Sequence, residues 1–164
     1  MEYPTFNEWF DSLSEANQQN TRRISALLEE MGAQDPNSWA RSEVSENLAQ
    51  TARYIVLSRI RRETIDKWST PGEIDRDSQY SDEYKSIVSQ LKSLGASEDL
   101  LVQFAKNIAY STAFSICYII DEGVDPWGPE EAPGWSPVEI NSEGELTGRD
   151  VGSIHESLSE VSNN

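Results

Sequence analysis

The sequence predicts an all-α protein, a bundle of four to six helices around a central apolar helix at about residues 97–122. Apolar residues recur at three- and four-residue steps over most of the first 120 positions, as they do on one face of a helix. Residues typical of helix starts and helix ends bracket these runs. The stretch from Asn107 to Ile120 carries no charge, which is typical of a helix surrounded by other helices.

The first helix is predicted from the spacing of Thr5 and Glu8, which is the spacing of a capping box. Apolar residues then follow a helical period up to Gly32, and the polar stretch at 14–20 is a possible break. Two helices or one interrupted helix are therefore expected before residue 33.

The second and third helices begin at equally clear signals. Asp35 followed by Pro36 predicts an N-cap and a first helical residue, and the apolar period continues until shortly before Pro71. The third helix is expected from about Ser81 to Gly95, a residue suited to a left-handed helix end. These signals predict one long and one shorter helix.

The central helix is expected to begin after Ser97 and to end at Gly123. Its uncharged stretch of 14 residues is too short to cross a bilayer core of roughly 30 Å. We therefore predict a buried helix, which completes a bundle over residues 1–123.

The remaining residues, 124–164, form what we call the C-terminal strap. They are expected to hold a β-hairpin turning at 141–144 and a short helix capped by Ser153, all packed on the same domain. The segment DPWGPEEAPGW places Trp127 and Trp135 in a proline-rich loop, where they are the natural structural anchors of the strap. An exposed aromatic clamp and a mobile loop stay open as alternatives.

The charge of −16, from 29 acidic and 13 basic residues, disfavours nucleic acid and anionic membranes as direct partners. A basic protein partner fits this charge better. The start of the sequence lacks a basic stretch followed by an apolar run, and one cysteine forms no internal disulfide, so a cytoplasmic location is expected. The sequence leaves the oligomeric state open.

Charge is also unevenly distributed along the chain. The acidic surface predicted to bind a partner comprises Glu130, Glu131, Glu139, Glu143 and Glu145. A basic island comprises Arg53, Arg59, Arg61, Arg62 and Lys67. The island is expected to hold the acidic strap through ion pairs. The alternatives are that it binds an external anion or that its side chains are simply solvated.

No catalytic set, metal site or cofactor is expected. His155 is the only histidine, which argues against a histidine-rich metal site, and Cys117 lies inside an apolar helix, where cysteine packs as a small hydrophobe. The acidic segment 73–83 lacks the glycine and glutamate that a calcium loop needs at its sixth and twelfth positions.

The sequence therefore favours a non-enzymatic, acidic protein-interaction domain, such as an immunity protein or an inhibitor of a basic toxin or nuclease. The alternative is a helical bundle that binds a small molecule in the interior of the central helix, at Tyr110, Ser115 and Tyr118. An enzyme ranks third, since no residue set supplies a nucleophile, a base and an orienting group.

Overall fold

The computed structural model describes residues 4–161. Helices dominate this range, and one two-stranded antiparallel sheet accompanies them, which confirms a mostly helical fold with a small C-terminal hairpin. The chain divides into two compact units. Unit 1 comprises residues 4–58 and 117–161, and unit 2 comprises Arg59–Ile116.

The N-terminal helices begin where the capping signals predict. They are α1 (Phe6–Asp11), α2 (Glu15–Glu30), α3 (Pro36–Glu46) and α4 (Gln50–Ile60). Thr5 and Glu8 form the reciprocal capping box, and the side chains of Ser14 and Asp35 accept backbone N–H bonds at the starts of α2 and α3. The interruption of the first helix falls between α1 and α2, at the start of the polar stretch.

The prediction of one long second helix was wrong, because the chain breaks between α3 and α4. Asn47 adopts a left-handed conformation with φ of 55°, which ends α3. The backbone N–H of Ala49 then donates to the carbonyl oxygen of Asp150 at 3.0 Å. The apolar periodicity of the sequence continues across this break and therefore does not indicate it. The bond from Ala49 to Asp150 joins residues about a hundred positions apart, so no local pattern shows it.

Unit 2 is built from short helical segments around a small apolar core. After α4 come a π-helical turn (Arg61–Ile65), a 3-10 turn (Asp66–Ser69), α5 (Glu73–Asp77), a second 3-10 turn (Ser78–Tyr80) and α6 (Asp82–Ser93). Ile74, Val88 and Leu101 form the buried core. Trp68 and Tyr84 pack against this core.

The central helix, α7 (Glu98–Glu122), has the predicted extent. Ser97 caps its first turn, and Gly123 follows its end with φ of +68°. The expectation that other helices surround it was wrong, because only Leu101, Ala113 and Cys117 among its 25 residues are buried. Seven large apolar side chains of α7 are exposed, so its lack of charge does not reflect burial on all sides.

The strap contains the predicted hairpin and a short helix. Strands β1 (Val138–Ile140) and β2 (Leu146–Asp150) pair antiparallel, with an irregularity between Val138 and Ile140. Helix α8 (Ile154–Ser157) follows, but Ser153 does not cap it as predicted, because Ser153 has φ of 59° and makes no side-chain cap bond. Ile154, Leu158 and Val161 are buried in unit 1 with Ile24, Leu28 and Leu57.

Within residues 4–161, no helix combines the length and the apolar character that a membrane crossing requires.

Candidate interaction site: the tryptophan loop

Residues 123–135, which we call the tryptophan loop, form a closed loop at the C-terminal end of α7. The backbone N–H of Trp135 donates to the carbonyl oxygen of Gly123 at 2.8 Å. The indole Nε1–H of Trp135 donates to the carbonyl oxygen of Ile119 at 3.2 Å. Carbonyls in the last turn of a helix lack partners within the helix, so Trp135 both closes the loop and satisfies one of them.

The base of the loop closes because glycine stands on both sides of it. A Cβ atom on Gly134 would lie 2.6 Å from the carbonyl oxygen of Gly123, and one on Gly123 would lie 2.7 Å from that of Trp135. Both distances are too short for a carbon and an oxygen that are not bonded. The two chain segments therefore approach this closely only with glycine at both positions.

Short-range hydrogen bonds order the interior of the loop. The side-chain carboxylate of Asp125 accepts a hydrogen bond from the backbone N–H of Trp127 at 3.0 Å. The backbone carbonyl oxygen of Asp125 accepts one from the backbone N–H of Gly128 at 3.1 Å. The N–H of Ala132 donates to the carbonyl oxygen of Pro129 at 2.9 Å. The prolines restrict the backbone further, so the loop has a defined shape built from its own contacts.

The ring of Trp127 projects from this loop into solvent and is 92 % exposed. The prediction that Trp127 anchors the strap was therefore wrong. Trp135 makes the backbone contact expected of an anchor, although 43 % of it is also exposed. The two residues look alike in sequence, but the hydrogen bonds at the base of the loop involve only Trp135.

The loop is anionic as well as aromatic. Asp125, Glu130 and Glu131 are exposed, and no lysine or arginine occurs between residues 107 and 148. Glu143 and Glu145, at the hairpin turn, are exposed too. Glu139 does not belong to this exposed set, because its carboxylate is engaged inside unit 1.

Arg149 holds Glu139 and connects the hairpin to α3. Its Nη1 donates to Oε1 of Glu43 at 2.8 Å, its Nε to Oε2 of Glu139 at 2.8 Å, and its Nη2 to Oε1 of Glu139 at 2.6 Å. Burial lowers the pKa of Arg149, but the bonds to Glu139 and Glu43 outweigh it and raise the pKa overall. This role of Arg149 is not predictable from the sequence, because the residue stands alone in an acidic segment and carries no motif.

The basic island is distributed differently from the prediction. Arg53 is buried, and its Nε donates to the carbonyl oxygen of Val151 in the strap at 3.1 Å. Burial lowers the pKa of Arg53, although nearby carboxylates oppose the shift.

The other four island residues lie in unit 2 and pair with acidic residues of that unit. Arg59 and Arg62 pair with Glu63, Arg61 pairs with Asp66, and Lys67 pairs with Asp77. The role predicted for the island is thus carried by Arg53 together with Arg149.

Asp121 joins the end of α7 to the start of α8. Its Oδ2 accepts the backbone N–H of His155 at 2.8 Å and lies 2.7 Å from Nδ1 of the same residue. Burial raises the pKa of Asp121, but the bonds from His155 and Ile154 outweigh it and hold the pKa below its usual range. Asp121 therefore supplies the cap that Ser153 does not, and this contact gives His155 a structural role.

Cys117 is fully buried in unit 1, and burial together with nearby Asp121 raises the pKa of its thiol. A thiol in this setting is a poor nucleophile. Among residues 4–161, no group of three potential metal-ligating side chains comes together.

The interior site considered in the sequence analysis is open to solvent. Ser115 and Tyr118 are exposed, and the hydroxyl of Ser115 donates to the carbonyl oxygen of Ser111 in its own helix at 3.0 Å. Tyr110 is half-buried.

Comparisons of the chain with protein-family models, with curated proteins and with solved structures found no significant match.

Proposed function

We propose that this chain is a non-enzymatic protein-interaction domain that binds a basic protein partner through the tryptophan loop. An inhibitor or immunity protein directed against a basic toxin or nuclease is one class of protein with such a partner. The observation that carries the proposal is the almost complete exposure of Trp127 on a loop whose base is closed by specific contacts.

An exposed tryptophan on an ordered loop suits a binding hot spot. Tryptophan is enriched among the residues that contribute most to protein interfaces, and an ordered loop loses little conformational entropy when it binds. A loop with no binding role gains nothing from exposing an indole to water, since burial of apolar surface stabilises the fold.

The surroundings of Trp127 favour a cationic partner. An arginine or lysine side chain can lie over the indole face in a cation–π contact. Asp125, Glu130 and Glu131 can then pair with the same or neighbouring cations. The adjacent acidic residues would also accelerate association by long-range attraction, an effect that salt weakens.

The proposal is tested by capture of proteins from the native cell on the immobilised chain. We expect a basic protein to bind at about 50 mM salt and to be released near 500 mM, because the Debye length falls severalfold over that range. Trp127→Ala should lose the partner, and so should the double variant Glu130→Gln, Glu131→Gln. Leu146→Ala, a control at an exposed apolar residue of the hairpin, should retain it.

The stability of Trp127→Ala separates a binding role from a structural one. Because the ring is almost fully exposed, we expect the free energy of unfolding to change by no more than about 0.5 kcal/mol. Equal capture by all variants, or loss of binding only where the fold is lost, would contradict the proposal.

The second candidate is binding of a small apolar molecule, and one observation favours it. Unit 2 contains a groove of about 300 Å³ with walls that include Trp68, Tyr84 and Phe104. This volume lies at the lower end of the range for ligand pockets. A bound compound released by denaturing the purified protein would support this function over the first.

A further inference from the structure

Helix α6 with its C-cap residue, and the part of α7 that belongs to unit 2, expose a set of large apolar side chains, which we call the α6–α7 face. Its members are Ile87, Leu91, Leu94, Leu100, Phe104 and Ile108, and each exposes between 37 and 85 % of its area. Single exposed apolar residues are common on protein surfaces, but a contiguous set of this size usually marks an interaction site.

The members of the face are contiguous. Ile87, Leu91, Phe104 and Ile108 line one groove between the two helices. Leu94, the C-cap residue of α6, follows Leu91 by three residues, and Leu100 precedes Phe104 by four within α7, so each extends the groove lengthwise.

The area of the face is comparable with the apolar part of one half of a homodimer interface. The six exposed fractions equal about three and a half fully exposed residues, which is on the order of several hundred Å² of apolar area. A standard interface buries about 800 Å² on each partner, and about 65 % of a homodimer interface is apolar. Each copy of such a dimer therefore buries roughly 500 Å² of apolar area, which is of the same order as the area of the α6–α7 face.

The charge of unit 2 permits two copies to meet there. Residues 59–116 carry nine acidic and eight basic side chains, whereas the rest of the chain carries twenty acidic and five basic ones. Ion pairs such as Arg61–Asp66 and Lys92–Asp75 offset charges within unit 2. A second copy has the same charge as the first, so the near-neutral unit is where self-association meets least repulsion.

We propose that two copies of this chain associate through the α6–α7 face in a symmetric dimer. In such a dimer the same patch of each copy contacts the other, and the groove of one copy receives apolar side chains of its partner. Ala105 and Ala109, which line the groove, leave room for this close approach.

The dimer is independent of the function proposed above, because its residues belong to unit 2, whereas the tryptophan loop belongs to unit 1. The two interactions also respond to salt in opposite directions. Added salt weakens attraction to a basic partner, but it screens the repulsion between two acidic copies and should strengthen the dimer.

Analytical ultracentrifugation of the full chain, from about 1 to about 100 µM, tests the proposal. We expect a monomer–dimer equilibrium that Leu100→Glu weakens at least about tenfold. Position 100 lies in the first turn of α7, where a negative charge interacts favourably with the helix dipole, so glutamate is compatible with the helix there. Phe104→Glu serves as a second variant, and Leu146→Glu supplies the same charge change outside the face.

A wild-type chain that stays monomeric throughout this range would overturn the proposal. So would a dimer that both face variants leave intact, or one that Leu146→Glu weakens equally. If the wild-type chain is monomeric and both face variants melt at a lower temperature than it does, the face packs within the monomer and the proposal fails. A small apolar compound found by native mass spectrometry in a monomeric chain would assign the groove to that ligand instead.

Discussion

Replacement of Arg149 by methionine should destabilise unit 1 by removing the cation shared by Glu43 and Glu139. The variant loses three charge-assisted hydrogen bonds of 2.6–2.8 Å. It also leaves the carboxylate of Glu43, whose side chain is 3 % exposed, without a cation. Removing one member of a buried ion pair costs about 3–5 kcal/mol.

We expect a value at the lower end of this range. Glu43 still accepts the backbone N–H and the hydroxyl of Thr51, at 2.8 and 2.6 Å, and Glu139 still accepts the hydroxyl of Thr147. The free energy of unfolding should fall by about 3 kcal/mol, which lowers the melting temperature by roughly 6–12 °C in a chain of this size.

Urea unfolding followed by circular dichroism measures the change, and amide exchange locates it. Exchange should accelerate in residues 138–150, because Arg149 joins that hairpin to α3. Arg59→Met is the matched control, since its ion pair is largely exposed and should be worth less than about 1 kcal/mol. Adding Glu43→Gln to Arg149→Met should recover part of the loss. A loss below about 1 kcal/mol with unchanged exchange in the hairpin would refute this account of the strap.

Three further predictions concern unit 1. The pKa of Asp121 is depressed, so its contribution to stability is present above the ordinary carboxyl pKa and is lost as the pH falls through the lowered pKa; Asp121→Asn should therefore lose less stability on acidification than the parent chain does. Gly134→Ala should open the base of the tryptophan loop, with faster amide exchange at 124–135 and a stability loss of about 1–3 kcal/mol. Cys117 should react with a thiol reagent only under unfolding conditions, because it is fully buried; rapid labelling of native protein would contradict that placement.

The starts of α1 and α6 could be predicted because their signals are local. The cap of α1 joins Thr5 to Glu8, and Ser81 caps α6 through the backbone N–H of Tyr84. In each case the two groups are three residues apart, so the sequence alone contains the whole interaction. The hairpin turn is local for the same reason, since the side chain of Asn141 accepts N–H bonds from Glu143 and Glu145.

Arg53 belongs to the basic island predicted to hold the strap, but the partners in the contacts that hold it could not be predicted, because they are distant in sequence. Arg149 and Glu43 are 106 positions apart, and Arg53 and Val151 are 98 apart. Many arginine–carboxylate pairings are compatible with the composition, and only the fold selects among them. The break at Asn47 belongs to the same class, since it accompanies a bond between Ala49 and Asp150.

The burial of apolar residues was also predicted wrongly, for α7 and for Trp127. The uncharged part of α7 and the indole of Trp127 are both hydrophobic enough for a core, and sequence patterns do not tell whether another segment covers them. In the structure Phe104 and Trp127 are both exposed. The residues that were predicted to be buried but are exposed are therefore the candidates for contact with other molecules.

The central claim is that Trp127 contacts a basic protein, and site-specific photocrosslinking tests it most directly. A photoreactive phenylalanine analogue placed at position 127, expressed in the native cell, should form an adduct with one basic protein. The same analogue at Leu146, also exposed, should not form this adduct. Glu130→Gln with Glu131→Gln should reduce the yield, because the loop then attracts cations less strongly. Absence of a protein adduct at position 127, or the same adducts from both positions, would contradict the account.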